Sequence, residues 1–327
     1  MLRRLIFAAV FLAFAAALAA GGGWLWFQNR ISAPGPVAEE RAVLIPPGSG
    51  LRRIAAILAE AGFVPSETLF LLAARLHDHD RALKAGEFRI PARASILGIL
   101  DVLRKGETVA RAVTIPEGLS IHEAMAVIAG AEGLLGPLPP APEEGRLLPE
   151  TYRYHYYDEK APFVRRLEKA MDVALARAWD GRAPGLPLAS PEEALVLASI
   201  VEKETALPAE RPRVAAVFIN RLRLGMRLQS DPTVIYGITQ GREPLGRALT
   251  RADLEAPTPW NTYVNAGLPP TPIALPGLAS IQAVLNPAET KELYFVADGT
   301  GGHAFAETLD GHNRNVAKWR KIQNGSK

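Results

Sequence analysis

The 327-residue chain contains no cysteine, which excludes disulfides, zinc thiolates and a thiol nucleophile. It has almost no charge imbalance. The formal net charge is +3, acids and bases are interspersed, and no basic stripe suited to nucleic acid is visible. No glycine-rich loop ends in a phosphate-cradling lysine. No serine, Ser199 included, sits in a nucleophile-elbow context, so a serine hydrolase is not expected. Metal-ligand spacing is also missing. His303 in Gly301-Gly-His-Ala-Phe305 and His312 in Gly311-His-Asn313 read as polar loop histidines. His77-Asp-His-Asp80 alternates acids and imidazoles without a third arm and reads as a solvated loop. Neither a metal nor any other cofactor is therefore expected.

One long apolar run is present. Leu5 to Phe27 carries no charge and follows Arg3 and Arg4. At about 1.5 Å per residue it spans the ~30 Å hydrocarbon core of a bilayer. Trp24 and Trp26 sit where an interfacial aromatic belt would lie, and the charge asymmetry across the run favours a cytoplasmic N-terminus. Ala17-Leu-Ala-Ala20 before Gly21 offers a signal-peptidase alternative, but the run is longer than an ordinary signal core. A membrane anchor over residues 1–27 is expected, with the remainder outside the inner membrane. Residues 28–40, with Pro34 and Pro36, read as a linker.

A pattern then recurs three times. Val43-Leu-Ile45-Pro46 precedes a helical run from Leu51 to Ala61, Phe88-Arg-Ile90-Pro91 one from Ile96 to Arg104, and Val113-Thr-Ile115-Pro116 one from Ile121 to Ala129. Each unit is a short strand, a proline-marked turn and an amphipathic helix. An additional helix is expected over 66–77. These units predict a small α/β module over 41–130, closed by a Gly/Pro-rich stretch from Gly130 to Gly145. Residues 131–327 then read as a mixed α+β domain. Its helices are expected over 161–180, 191–205, 209–224, 278–286 and 313–322, with turns and short strands from Gly225 to about Pro276, a strand over 293–297 and a Gly-rich turn after it. The fold class is thus α+β.

The segment carrying most chemical information is Ser190-Pro-Glu-Glu-Ala-Leu-Val-Leu-Ala-Ser-Ile-Val-Glu-Lys-Glu-Thr205. Ser190 suits an N-cap, Pro191 the first helical position, and Glu193 a capping box. At about 100° per residue, Leu197, Ile200, Val201 and Glu204 share one stripe, Ser199 and Lys203 lie opposite, and Glu202 sits on a flank. Glu204 therefore ends an apolar face, where a carboxylate is expensive to bury. Two readings stay open: an ion pair with Arg221 or Arg223, or a carboxyl kept protonated by desolvation that can donate a proton near neutral pH. Protonation of a leaving oxygen is what glycosidic cleavage requires.

Downstream lies a polar cluster of Asn220, Gln229, Ser230, Asp231, Thr233 and Tyr236, echoed by Trp260-Asn-Thr-Tyr263. Amides, hydroxyls and aromatic faces of this kind suit sugars. An ordinary turn begun by Asp231-Pro is the simpler alternative.

These residues carry a family resemblance. Ala198-Ser-Ile-Val-Glu-Lys-Glu-Thr205, Val217-Phe-Ile-Asn-Arg-Leu222 and Gly225-Met-Arg-Leu-Gln-Ser-Asp-Pro-Thr-Val-Ile-Tyr-Gly237 resemble the endolytic murein transglycosylases of the YceG-like type. So do Asn261-Thr-Tyr263, Gly267-Leu-Pro-Pro270, Tyr294-Phe-Val-Ala297 and Gly302-His-Ala-Phe305. The resemblance runs from about residue 40 to the C-terminus. One departure is Glu144-Gly-Arg-Leu-Leu-Pro-Glu-Thr-Tyr152, where such proteins often carry aromatic residues.

The resemblance implies a LysM-like peptidoglycan-binding module and a catalytic domain that cuts the MurNAc–GlcNAc bond of nascent glycan strands. It implies 1,6-anhydroMurNAc ends, termination of strand elongation, and peptidoglycan synthases as partners. The catalytic carboxyl would be Glu204, with Glu202 as fallback. Asn220, Gln229, Ser230, Asp231, Tyr236, Asn261, Tyr263 and His303 are the expected substrate contacts. The alternatives are a hydrolytic muramidase with Asp231 as second carboxylate, and a non-enzymatic wall-binding scaffold.

Overall fold

The computed structural model describes residues 2–77 and 83–325, so Asp78, His79 and Asp80 of the His77–Asp80 segment lie outside the described residues. Two compact units are present: Met1–Arg111 with His155–Tyr157, and Ala112–Tyr154 with Asp158–Lys327.

The first unit opens with helix α1 (Leu2–Ser32). Its stretch Arg3–Ser32 is long and apolar enough to cross a membrane. Leu5, Phe7, Phe11, Phe14, Leu18 and Trp26 stand exposed, whereas Phe27 and Ile31 are buried. The helix continues past Phe27 because these last two apolar residues enter the core of the unit. The following segment, expected as a linker, is fastened: Gly35 N donates to Arg93 O, and Arg93 N to Val37 O.

Strand β1 (Arg41–Ile45), helices α2 (Leu51–Glu60) and α3 (Glu67–Leu76), strand β2 (Gly86–Ile90) and helix α4 (Ile96–Lys105) follow. β1 and β2 pair antiparallel, from Arg41 opposite Ile90 to Ile45 opposite Gly86. The pleat sends Val43, Ile45, Phe88 and Ile90 inward against Leu58, Phe70, Ile99 and Leu103 of the helices. Ser66 and Ser95 cap α3 and α4 through Leu69 N and Gly98 N.

The division between the units runs through strands β3 (Ala110–Thr114) and β4 (Thr151–His155), which pair with each other. In the second unit, helix α5 (Ile121–Ala129) begins at a full capping box of Ser120 and Glu123. All three expected strand–turn–helix units therefore form, although α5 packs in the second unit.

The rest of that unit comprises α6 (Lys160–Asp180), α7 (Pro191–Glu204), α8 (Arg211–Arg223), α9 (Asp231–Thr239), α10 (Arg251–Glu255), α11 (Leu278–Leu285), strands β5 (Tyr294–Ala297) and β6 (His303–Ala306), and α12 (Leu309–Gly325). β5 and β6 form an antiparallel hairpin. α9 and α10 occupy a stretch expected to be turns and short strands. Asp231 and Pro232 start α9 rather than a turn, because proline needs no amide partner in a first helical turn.

α7 is central. Ala194 through Val201 are buried on every side against α6, α8 and α11. The one-sided stripe expected from periodicity is thus too narrow. Ser199 is fully buried, not turned away; its hydroxyl donates to Val196 O (2.7 Å) and accepts from Ile273 N (2.9 Å). That pair satisfies the hydroxyl and fastens the chain before α11 onto α7. Burying each large aliphatic side chain here contributes about 1.5–3 kcal/mol, which makes α7 a stiff platform for whatever its last turn carries.

Candidate active site

α7 ends in Glu202-Lys-Glu204, and the two carboxyls meet different surroundings. Glu202 is almost wholly buried and fully used. Its Oε2 accepts from Gly277 N (3.0 Å) and Ser280 Oγ (2.7 Å) at the start of α11, and Oε1 faces Arg211 at 3.4 Å. Lys203 points outward and donates to Gly118 O.

Glu204 has one hydrogen-bond donor, Ser230 Oγ, at 2.5 Å. The expected ion pair with Arg221 or Arg223 does not form. Arg221 donates to the carbonyls of Leu293, Arg227 and Leu228, and Arg223 to Asn220 Oδ1 and Gly185 O. Burial is the main force pushing the Glu204 carboxyl up, to about 7. The bond from Ser230 opposes the rise, the nearby Asp231 charge adds to it, and His303 and Arg221 pull it down.

Ser230 is buried and held from several directions. Its N donates to Thr262 Oγ1 (3.0 Å), its carbonyl accepts from Thr233 Oγ1 (2.6 Å), and the two threonine hydroxyls lie 2.8 Å apart. The preceding residue, Gln229, is exposed and left-handed with φ 51°, and its N donates to Thr262 O. Asp231 accepts from Tyr263 Oη at 2.6 Å. Tyr236 donates to Glu144 Oε2 at 3.3 Å, and its ring meets Trp260 edge-on at 5.6 Å. Burial raises the Tyr236 and Tyr263 phenols well above their usual value, so both are donors at neutral pH.

The structure thus brings Ser230 onto Glu204, with Gln229 on the adjoining turn, Asp231 at the start of α9, and Tyr263 reaching Asp231 from the loop after α10. Two expected contacts lie elsewhere. Asn220 spends its amide on Thr290 O and Glu292 O. Asn261 is fully buried, donates to the carbonyls of Asp253, Leu254 and Ala256, and accepts from Tyr263 N. Both asparagines fasten loops, and neither has a donor left for a sugar. His303 is gripped by Glu210, whose Oε1 accepts from His303 N (2.9 Å) and whose Oε2 lies 2.7 Å from Nδ1. His312 stacks on Tyr294, and among the described residues no group of three His, Asp or Glu gathers as a metal site.

Thr262, Glu210 and Glu144 were not singled out from the sequence. Glu144 is buried, accepts from Ile121 N and Gly145 N as well as Tyr236, and is pushed up to about 7 chiefly by burial. Its place in the departing Glu144–Tyr152 motif was the only available signal.

The chain is similar to the endolytic murein transglycosylase of Bacillus subtilis (strain 168), 28% identical over 93% of this chain and 92% of that protein. It is also similar to the endolytic murein transglycosylase of Streptococcus pneumoniae (strain D39), 30% identical over 94% of this chain and 64% of the relative, so it spans somewhat under two thirds of that longer protein. A crystal structure of a putative yceG-like protein from Listeria monocytogenes matches with a TM-score of 0.51 and 30% identity, covering 85% of this chain and 99% of that one. The YceG-like family profile matches residues 43–318, and with that span the chain belongs to the YceG-like family.

Proposed function

We propose that this protein is a lytic transglycosylase that cuts within peptidoglycan glycan strands. Its relatives are named endolytic murein transglycosylases. The observation that carries the reading is the state of Glu204: a carboxyl at the end of a rigid buried helix, with one hydroxyl donor and no paired cation among the described residues, and a pKa raised to about 7. Such a group holds a proton at neutral pH and can release it to a leaving oxygen.

The reaction runs on one carboxyl. Glu204 protonates the glycosidic oxygen of the MurNAc–GlcNAc bond. O6 of the muramic residue attacks C1, the ring closes as 1,6-anhydroMurNAc, and the O6 proton ends on the Glu204 carboxylate. No water is consumed. Gln229, Ser230, Asp231, Tyr236, Tyr263 and His303 are the proposed sugar-facing groups, with Tyr236 offering a ring edge-packed on Trp260.

In this reading α1 spans the inner membrane, the first unit is a LysM-like element that holds glycan outside it, and cleavage of nascent strands ends their elongation beside peptidoglycan synthases. The test is mass spectrometry of products from the full-length protein acting on isolated peptidoglycan. Fragments lighter by one water than hydrolytic fragments, absent with Glu204→Gln, are expected. Reducing-end products would instead establish a muramidase, and no cleavage of any strand, nascent or mature, a wall-binding scaffold.

A further inference from the structure

The loop that leaves Glu204 reaches α8 through Glu210, its N-cap residue. There Glu210 turns both carboxylate oxygens on one residue, the backbone N and ring Nδ1 of His303 at the head of β6. The approach depends on Gly302, where a Cβ would lie 2.8 Å from Glu210 Oε1. Asp298 closes the hairpin turn below, accepting at Oδ1 from Thr300 N and Gly302 N. The imidazole is packed edge-on to Phe295 with centroids 5.3 Å apart, and flanked by Phe305.

A tether of the hairpin needs only the backbone bond. The second bond fixes the ring instead. A nitrogen facing a carboxylate at 2.7 Å is the one that carries the proton, an assignment made from its partner, so the lone pair lies on Nε2. Among the described residues Nε2 makes no hydrogen bond. The result is a carboxylate-oriented imidazole with a free basic nitrogen, the arrangement by which a histidine is prepared to accept a proton. The other charges around this pair are Glu204 of α7, which a charged His303 favours in its ionised form, and Arg213 of α8, which the Glu210 charge favours. Arg213 is neutralised by Glu292 and lies over the Phe305 ring.

We propose that His303, oriented by Glu210, is the base of the ring closure, taking the O6 proton on Nε2 and passing it to Glu204. The step rests on the transglycosylase reading and balances within it. Glu204 gives its proton to the departing oxygen, and the C1–O bond breaks with its electron pair on that oxygen. A lone pair of O6 forms the new bond to C1. The O6 proton moves to Nε2, leaving an imidazolium paired with the Glu210 carboxylate, and then to Glu204, which restores both groups. This separates acid from base in time: Glu204 need not approach two oxygens at once.

The experiment compares His303→Asn and His303→Ala in the full-length protein on isolated peptidoglycan, with 1,6-anhydro products as readout. The asparagine amide stands near Nδ1 and keeps the Glu210 bond while removing Nε2. The expected result is a kcat lower by about 10²-fold, a much smaller change in KM, and an unchanged Tm. Free imidazole is expected to restore part of the turnover of His303→Ala, which a lost tether could not regain. Wild-type kcat in His303→Asn, or no rescue of His303→Ala, would overturn the relay and leave His303 as a hairpin tether. Reducing ends from the wild-type protein would instead sink the transglycosylase reading itself, so the two failures are told apart.

Discussion

Glu202 and Glu204 stand two positions apart on α7, with Lys203 between them. Glu202 receives the Gly277 amide and the Ser280 hydroxyl and faces the Arg211 guanidinium, whereas Glu204 receives the Ser230 hydroxyl alone. The rotation of about 200° between them sends one side chain into the packing against α11 and the other to the mouth of the α7–α8 turn. A satisfied carboxylate ties a helix start and an arginine together. An under-satisfied one holds its proton to higher pH, which is what the proposed acid role requires. The position of a Glu in the Glu-Lys-Glu motif is therefore less informative than the number of donors that meet it.

The sharpest way to break this comparison is Glu204→Gln, expected to lower turnover by about 10³-fold or more with the fold intact, read as released fragments per enzyme. Should Glu204→Gln retain activity, the contrast carries no mechanism. Glu202→Ala is expected to do the reverse. Product release stays within a few-fold, while denaturant unfolding shows a loss of about 2–3 kcal/mol, because Arg211 and the α11 start lose their partner.

pH separates the two groups again. The Glu204 carboxyl lies at about 7 in the folded protein against 4.5 ordinarily, so the folded state holds its proton more tightly. The stability it contributes is present below 4.5 and is lost as pH rises towards 7. Glu204→Gln should accordingly gain Tm over the wild type above pH 7 and show little difference at pH 4, measured by thermal scans across that range. Activity should fall on the alkaline side with an apparent midpoint of about 7.

The smallest expected effect sharpens that limb. Ser230 lowers Glu204, so Ser230→Ala should move the alkaline limb to higher pH. Glu144, also at about 7, should leave the limb in place when changed to Gln. A limb that follows Glu144 rather than Ser230 would reassign it.

Periodicity made the three strand–turn–helix units, α6 to α8 and α11 readable, with serine caps marking the starts of α4, α5 and α7, and α1 was readable from its unbroken apolar run. Glu204 was readable for the same reason, as the last member of the α7 stripe. α9 was not, because Asp231-Pro begins turns and helices alike, and only the Thr233 and Thr262 bonds around Ser230 show which. Composition also could not say which way an amide faces. Asn220 and Asn261 look like sugar ligands in sequence and prove to be spent on carbonyls of their own chain. Glu210 and His303 stand 93 residues apart, and no local pattern marks such a pair.

α1 ends inside a core rather than at a hinge, with Phe27 and Ile31 buried among the side chains of the first unit and the chain after Ser32 fastened at Gly35 and Val37. A loose tether over residues 28–40 would let its cargo wander over roughly 20 Å. A continuous helix rises about 1.5 Å per residue and bends little. If α1 is seated in a bilayer, the first unit is therefore mounted at a set height, as on a post. Its reach is then a matter of geometry instead of chain entropy.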